Sequence, residues 1–331
     1  MARRKTELEK AQERALKYAK RIEDNCPELA KCSRNLTAMY LEGKLDEVYH
    51  RDATIANIQK ILLRKSKANV LLTGPAGCGK TAIAERLAAV LTNRLVDYAK
   101  TLNECDAEYD KAMKAYNNAD YADNIPRPIK EEPPAPWLSN CIMFDLSLTA
   151  LTGGTKYRGE FEEKINNLLA ECRKHPNIIL FIDEIHQIVS AGKCEGGEGA
   201  AQMLKPALAR RDICVVGATT TDEAKYIWAD KALARRFNEV KVNPLVGNAA
   251  HSTAEGILQD YAKYHEIEAP IVDVPQIMNL LDTFLPHTVF PDNFINVVDE
   301  TLAGAKFDGH SIVDMTHYKA TISRMAGVVI V

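Results

Sequence analysis

The chain has 331 residues, of which 46% are apolar and 26% charged, the balance of an ordinary soluble protein with material for about two domains. Its 42 Lys plus Arg against 45 Asp plus Glu give a net charge of -3, which argues against a globally basic nucleic-acid binder and offers no charge argument for a membrane surface. The apolar runs are too short to span a bilayer, the N-terminus Met1-Ala-Arg-Arg-Lys-Thr-Glu-Leu lacks the apolar core of a signal peptide, and the eight cysteines show no C-x-x-C or zinc spacing, so free thiols in a cytoplasmic protein are expected.

In chain order, residues 1–35 read as a charged leader. Between Lys5 and Asp24, Leu8, Ala11, Ala15, Ala19 and Ile22 recur at helical spacing. That pattern fits either an amphipathic helix packed on a neighbouring subunit or a solvated leader. A modest helix and turn follow over Arg34–Asp52, then a helix over Thr54–Lys65. Asn69–Thr73 is a buried strand feeding a glycine loop, and the helix after it spans roughly Gly79–Asn93. Residues 95–137 read as an exposed insertion, helix-compatible to Tyr121 and irregular through the proline-rich stretch 125–136. Further strands are expected at Cys141–Phe144, Ile178–Ile182, Ile213–Val216 and Glu239–Val242, with helices at Gly159–His175 and Ala200–Arg210 and a glycine-rich loop at 192–199. Strands alternating with helices predict an α/β domain with a parallel five-stranded sheet, over residues 36–244. Beyond Pro244 the pattern is helical at Thr253–His265, Val274–Leu285 and Asp292–Lys306, predicting a small all-α domain over 245–331.

The loop Gly74-Pro75-Ala76-Gly77-Cys78-Gly79-Lys80-Thr81 fits G-x-x-x-x-G-K-[ST] with a strand before it and a helix former after it. Glycines let successive N–H groups curl towards a phosphate; Lys80 would reach the β and γ phosphates of a nucleoside triphosphate and Thr81 would hold Mg²⁺. Asp183 and Glu184 end an apolar strand, where Asp183 would meet the metal and Glu184 would polarise a water. A threonine of Gly217-Ala-Thr-Thr-Thr221 could orient that water or sense the γ phosphate; the same run also reads as a cap for the segment at Asp222-Glu223. Arg235 and Arg236 supply the rigid guanidinium that transition-state charge calls for, or form surface salt bridges.

Gly74–Thr81, Phe181-Ile-Asp-Glu-Ile-His186, Gly217-Ala-Thr-Thr220 and Ala232-Leu-Ala-Arg-Arg-Phe237 together resemble an AAA+ ATPase, and more narrowly the first nucleotide-binding domain of the Clp-type unfoldases and disaggregases. Gly153–Glu163, Met203–Arg210, Gly43–Val48 with Arg51-Asp52, and Pro291-Asp292 with Val297–Glu300 support the narrower match. The resemblance implies a P-loop domain in three layers, α/β/α, with a helical lid. It implies binding of ATP and Mg²⁺ by the loop, by Asp183 and by the adenine-pocket residues Val48 and Tyr49. Thr220, or else Thr219, becomes sensor 1, and Arg235 and Arg236 become fingers for a neighbouring subunit's ATP. A homo-oligomeric ring, expected to be a hexamer, would thread a polypeptide past the pore loop Lys156-Tyr157-Arg158, with an adaptor protein as a further partner. An assembly switch acting on nucleic acid or a partner complex is the alternative. The chain departs from the family in two places: His50 stands where glycine is common near the adenine pocket, and the 95–137 insertion has no counterpart of that length. Ile322–Ile330 resembles the segment that leads into a second ATPase domain.

Overall fold

The computed structural model describes residues 5–118, 127–152, 158–190, 204–208 and 212–330. Helix α1 (Glu7–Asp24) starts at a capping box, in which Thr6 accepts from the Glu9 amide and Glu9 reaches back to the Thr6 amide. After it come α2 (Pro27–Cys32), a short strand β1 (Ser33–Asn35), α3 (Leu36–Leu41) and α4 (Asp52–Leu62). Strand β2 (Asn69–Thr73) leads through the glycine loop into α5 (Lys80–Asn117). The order then runs β3 (Ile142–Leu146), α6 (Leu148–Thr152), α7 (Arg158–Lys174), β4 (Ile178–Ile182), α8 (Gln187–Ser190), β5 (Cys214–Thr219), α9 (Ala224–Ala229), α10 (Lys231–Ala234) and β6 (Phe237–Lys241). Residues 204–208 are helical; the rest of the helix expected over 200–210 and the loop 192–199 lie outside the described residues.

Six strands form one sheet in the order β1-β3-β4-β5-β2-β6. The five expected strands are mutually parallel, whereas β1 adds an antiparallel edge, with Ser33 opposite Leu146 and Asn35 opposite Phe144. Three residues are too few to show a period-2 pattern, which is why β1 is absent from the sequence reading. It is held by Asn35, whose Nδ2 donates to the Ala19 carbonyl (3.2 Å) and the Glu23 carboxylate (2.9 Å) and whose Oδ1 accepts from the Ala38 amide (3.0 Å). The parallel strands are apolar on both faces, and alternate residues serve different cores. Ile142, Phe144, Leu180, Ile182 and Val215 join one cluster, while Met143, Ile179, Phe181, Val216 and Ala218 join the other with α4 and the first turns of α5. This is the three-layer arrangement anticipated.

Two expectations are corrected at the N-terminal side. The helix after the loop does not stop near Asn93 but continues unbroken for 38 residues, roughly 57 Å of helix at 1.5 Å per residue. No Gly or Pro interrupts it, and Leu95, Val96 and Ala99 are buried because α1 lies against them through Ala11, Ala15, Ala19 and Ile22. Arg14 pairs with Asp106 (2.8 Å) and donates to Asn103 (3.0 Å), and Lys130 returns to the same Asp106 (2.8 Å). Residues 5–35 are therefore no free leader, α1 packs on its own chain, and the first part of the 95–137 segment is built into the core.

Helices α11 (Gly247–His265), α12 (Val274–Phe284), α13 (Asp292–Phe307) and α14 (Met315–Ala326) make a separate helical unit around Leu258, Ile277, Leu281, Phe294, Val298, Leu302 and Tyr318. Helix α14 is a fourth helix of this unit, beyond the three that the sequence pattern marks. It is started by a capping box in which Asp314 accepts from the His317 amide, and it ends at Gly327 in the left-handed region (φ 68°).

Candidate active site

The glycine loop is shaped by backbone requirements. Gly77 (φ 76°) and Gly79 (φ 87°) lie in the left-handed region, and a Cβ on Gly74 would fall on the Val242 carbonyl and 2.9 Å from Cys78 Sγ. Gly79 precedes α5 without a side-chain cap, so the first amides of a long helix are offered to the space above the loop, with the helix dipole behind them. Lys80 Nζ folds over the loop and donates to the carbonyls of Gly74 (3.1 Å) and Pro75 (2.7 Å). A glycine loop leading into an uncapped helix N-terminus, with an ammonium at its lip, fits a polyphosphate. Pro75 and Ala76 form its exposed outer turn. Cys78 is fully buried beneath it, and burial pushes its thiol up.

Strand β4 delivers the acids to the same place. Thr81 Oγ1 donates to Asp183 Oδ2 (2.7 Å), joining the loop to the strand end across the sheet, and Asp183 Oδ1 accepts from the Glu184 amide (2.8 Å). A hydroxyl and a carboxylate are hard oxygen donors suited to Mg²⁺. Among the described residues no three His, Cys, Asp or Glu side chains form a metal cage, so Mg²⁺ held here would take its remaining ligands from phosphate and water. Glu184 itself has φ 47°, an uncommon conformation for a residue with a Cβ, and its carboxylate accepts from the Gln187 side-chain Nε2. The turn is pinned from behind, since the Ile185 amide donates to Ala218 (3.0 Å) and the Ile185 side chain lies where a Cβ on Gly217 would be. A cleft of about 600 Å³ opens beside the two acids, walled by Lys31, Arg34, Asp145 and Gln187.

The two threonines after β5 differ. Thr219 is buried, its Oγ1 3.0 Å from His186 Nδ1. Thr220 is half-buried and forms a reciprocal pair with Glu223: its hydroxyl donates to Glu223 Oε2 (2.6 Å) and accepts from the Glu223 amide (3.3 Å). The Thr220 hydroxyl, with smaller contributions from His186 and Lys80, holds the Glu223 carboxyl below the usual range. The cap reading of this threonine run thus has its physical counterpart in the Thr220–Glu223 pair.

The helical unit closes the other side of the loop. The Tyr49 ring rests on α11 where a Cβ on Gly256 would come within 2.6 Å of Cζ, and its hydroxyl donates to Asp260 (3.1 Å). Val48 is half-buried beside it, and His50 adopts φ 53°, the backbone region that explains why glycine suits this position. Asp292, at the start of α13, sits against Gly77 and donates its amide to the Gly77 carbonyl (3.4 Å). Arg51, 9% exposed, donates to the carbonyls of Cys78 (2.8 Å) and Asn243 (2.9 Å), and burial draws its guanidinium down. Arg51, His186 and Asp292 lie in stretches that carry the family resemblance and Glu223 in the segment the threonine run would cap, but the sequence reading gives none of the four a site role of its own. The T-x-x-E spacing at Thr220–Glu223 was the one local signal available.

Arg235 and Arg236 are not gathered with the rest. They precede β6, whose first residue Phe237 pairs with Asn69 at the start of β2, whereas the loop begins after Thr73 at its end. The whole strand lies between, roughly 16 Å for five residues at about 3.3 Å each. The Arg236 carbonyl accepts from Asn69 Nδ2 (3.2 Å), and neither guanidinium has an ion-pair partner among the described residues. Lys156 and Tyr157 lie outside the described residues; Arg158 opens α7, and its side chain is likewise outside them.

The family model for the ATPase family associated with various cellular activities (AAA) matches residues 70–245, just over half of the chain. The chain is 36% identical over 285 residues to the chaperone protein ClpB of Helicobacter hepaticus, covering 86% of this chain and 29% of that protein. It is 33% identical over 312 residues to ClpL, an ATP-dependent Clp protease ATP-binding subunit of Staphylococcus aureus, covering 93% and 39%. The fold superposes on an S. cerevisiae Hsp104–ADP complex with a TM-score of 0.71 and 30% identity, over 91% of this chain and 45% of that one. The S. cerevisiae Hsp104–casein complex in its extended conformation gives the same values. The chain thus spans 29% to 39% of the length of these two curated relatives. On this evidence the chain belongs to the AAA family of ATPases.

Proposed function

We propose that the chain hydrolyses ATP in a Mg²⁺-dependent reaction and works as one subunit of a homo-oligomeric ring, hexameric by analogy, that remodels or unfolds polypeptides by drawing them through its pore. Relatives named as Clp chaperones and a fold neighbour solved with casein support this reading over a nucleic-acid switch. The amides of the loop 74–79 and Lys80 bind the phosphates, Val48 and Tyr49 flank the base, and Thr81 with Asp183 holds the ion. Mg²⁺, when bound, neutralises charge on the phosphate oxygens. Glu184 takes a proton from the attacking water, with Thr220 beside it. Lys156, Tyr157 and Arg158 grip the polypeptide, an aromatic ring offering apolar area at little entropic cost. An adaptor that brings substrates belongs to the same proposal.

One observation carries the oligomer. Arg235 and Arg236 lie a full strand away from the loop of their own chain, so on this reading they serve the γ phosphate of the next subunit. The loop is then half of a shared site. Mixing Glu184→Gln protein with Arg236→Ala protein tests this, since each alone lacks one half. The mixture is expected to regain hydrolysis at the junctions that combine an intact Glu184 with an intact Arg236, and activity no higher than that of either protein alone would refute a shared site.

A further inference from the structure

The contact between Thr220 and Glu223 fixes the direction of a hydrogen bond. A threonine hydroxyl has one hydrogen and two acceptor positions. At Thr220 the hydrogen is given to Glu223 Oε2 (2.6 Å) and one acceptor position takes the Glu223 amide (3.3 Å). One lone pair is left. The carboxylate is itself held, because His186 Nδ1 lies 3.4 Å from the same oxygen and 3.0 Å from Thr219 Oγ1. The register Ile182 opposite Gly217 puts Asp183-Glu184 alongside Ala218–Thr220, so that lone pair and the Glu184 carboxylate belong to the same end of the sheet.

We propose that Glu223 is a positioning residue that turns the Thr220 hydroxyl so that it accepts a hydrogen bond from the attacking water. The inference rests on the ATPase reading above. The water then donates one hydrogen to Glu184 and the other to Thr220 Oγ1, and its own lone pair faces phosphorus. Thr220 does not donate to the γ phosphate, because its hydrogen is committed to Glu223. His186 stops the carboxylate from swinging away. A cap for the turn at 221–223 uses the same two residues, but it requires only the amide contacts and is indifferent to where the hydroxyl hydrogen points.

Steady-state hydrolysis and fluorescent-ATP binding by the full chain separate these roles. Glu223→Ala is expected to lower kcat by about tenfold while KM and nucleotide affinity stay within about twofold, the pattern of a group acting only in the transition state. Glu223→Gln keeps an acceptor oxygen and is expected to hold kcat within about threefold of the parent. Thr220→Val should lose as much as Glu223→Ala, and the double variant no more than either, because both act through one hydrogen bond. Unchanged kcat in Glu223→Ala would overturn the proposal, as would parallel losses of kcat, affinity and melting temperature in both Glu223 variants. If the Ala variant does not fold, Glu223→Gln and Thr220→Val decide, and equal loss in both would count against it. Absence of hydrolysis by the unsubstituted chain at ring-forming concentrations would overturn the ATPase reading and this inference together, whereas hydrolysis indifferent to Glu223 would overturn this inference alone.

Discussion

Gly217 illustrates how one side chain can set the turn that carries the two acids. Ile185 follows the acids Asp183 and Glu184, and its side chain occupies the space over Gly217, where a Cβ would meet Ile185 Cδ1 at 2.6 Å and Cγ2 at 2.9 Å. Glu184, at φ 47°, sits in a backbone region that persists only when neighbours impose it. Gly217→Ala should therefore cost about 1–3 kcal/mol by overpacking and push the Ile185 turn outward, lowering kcat as well as stability. Thermal melts together with hydrolysis rates check this, and a variant with lowered melting temperature and normal kcat would mean that the turn is set elsewhere. Arg51 makes a similar point about binding. It is a buried cation satisfied by backbone carbonyls on the loop and after β6, a role that no local pattern announces.

At the scale of elements, α1 and α5 determine how far the core extends. Their shared face is narrow and made of small residues, Ala11, Ala15 and Ala19 against Leu95, Val96 and Ala99, with Ile22 closing one end. Read alone, α1 is a charged amphipathic helix with an unassigned partner. Its partner is the second half of a helix whose first half faces the other side of the sheet. Ile22→Ala removes a buried side chain that is 4% exposed and is expected to cost about 2–4 kcal/mol, read as a lower denaturant midpoint at unchanged slope. A loss of a few tenths would instead mean that α1 is peripheral to the folding unit. The correction to α5 has the same origin: a helix-compatible charged segment continues a helix when another element supplies a face for it.

For the whole molecule, the arrangement of sites follows from the parallel sheet. Loop, acids and Thr220 all follow the C-terminal ends of β2, β4 and β5, while Arg235 and Arg236 precede β6 and so lie at the opposite end. The helical unit meets the loop at Gly77 through Asp292 and meets Tyr49 through Gly256, so nucleotide bound at the loop would touch both units. The proposed threading adds a prediction at this scale: Tyr157→Ala should leave hydrolysis within about twofold and abolish unfolding of a model substrate, because on that reading the aromatic ring grips the polypeptide and takes no part at the phosphate. Unchanged unfolding by that variant would remove the pore-loop assignment.

The five apolar strands, the glycine loop between one of them and a helix, and the acids closing another were legible in the sequence, because each depends on residues within a few positions of one another. Hydrophobic runs of strand length, positive-φ glycines and a strand-end acid pair are local consequences of backbone chemistry. What depended on distant neighbours was not legible. The antiparallel edge β1 exists because Asn35 is tied to α1; α5 runs on because α1 covers it; and α14 is a helix because it packs into the helical core. The residue types suited to binding a nucleotide were thus determined by the sequence itself. Only the tertiary structure decided that Thr81 meets Asp183 across 102 positions of chain while the arginines stay a strand's length from the loop, since register and strand order arise from packing between segments that no local pattern relates.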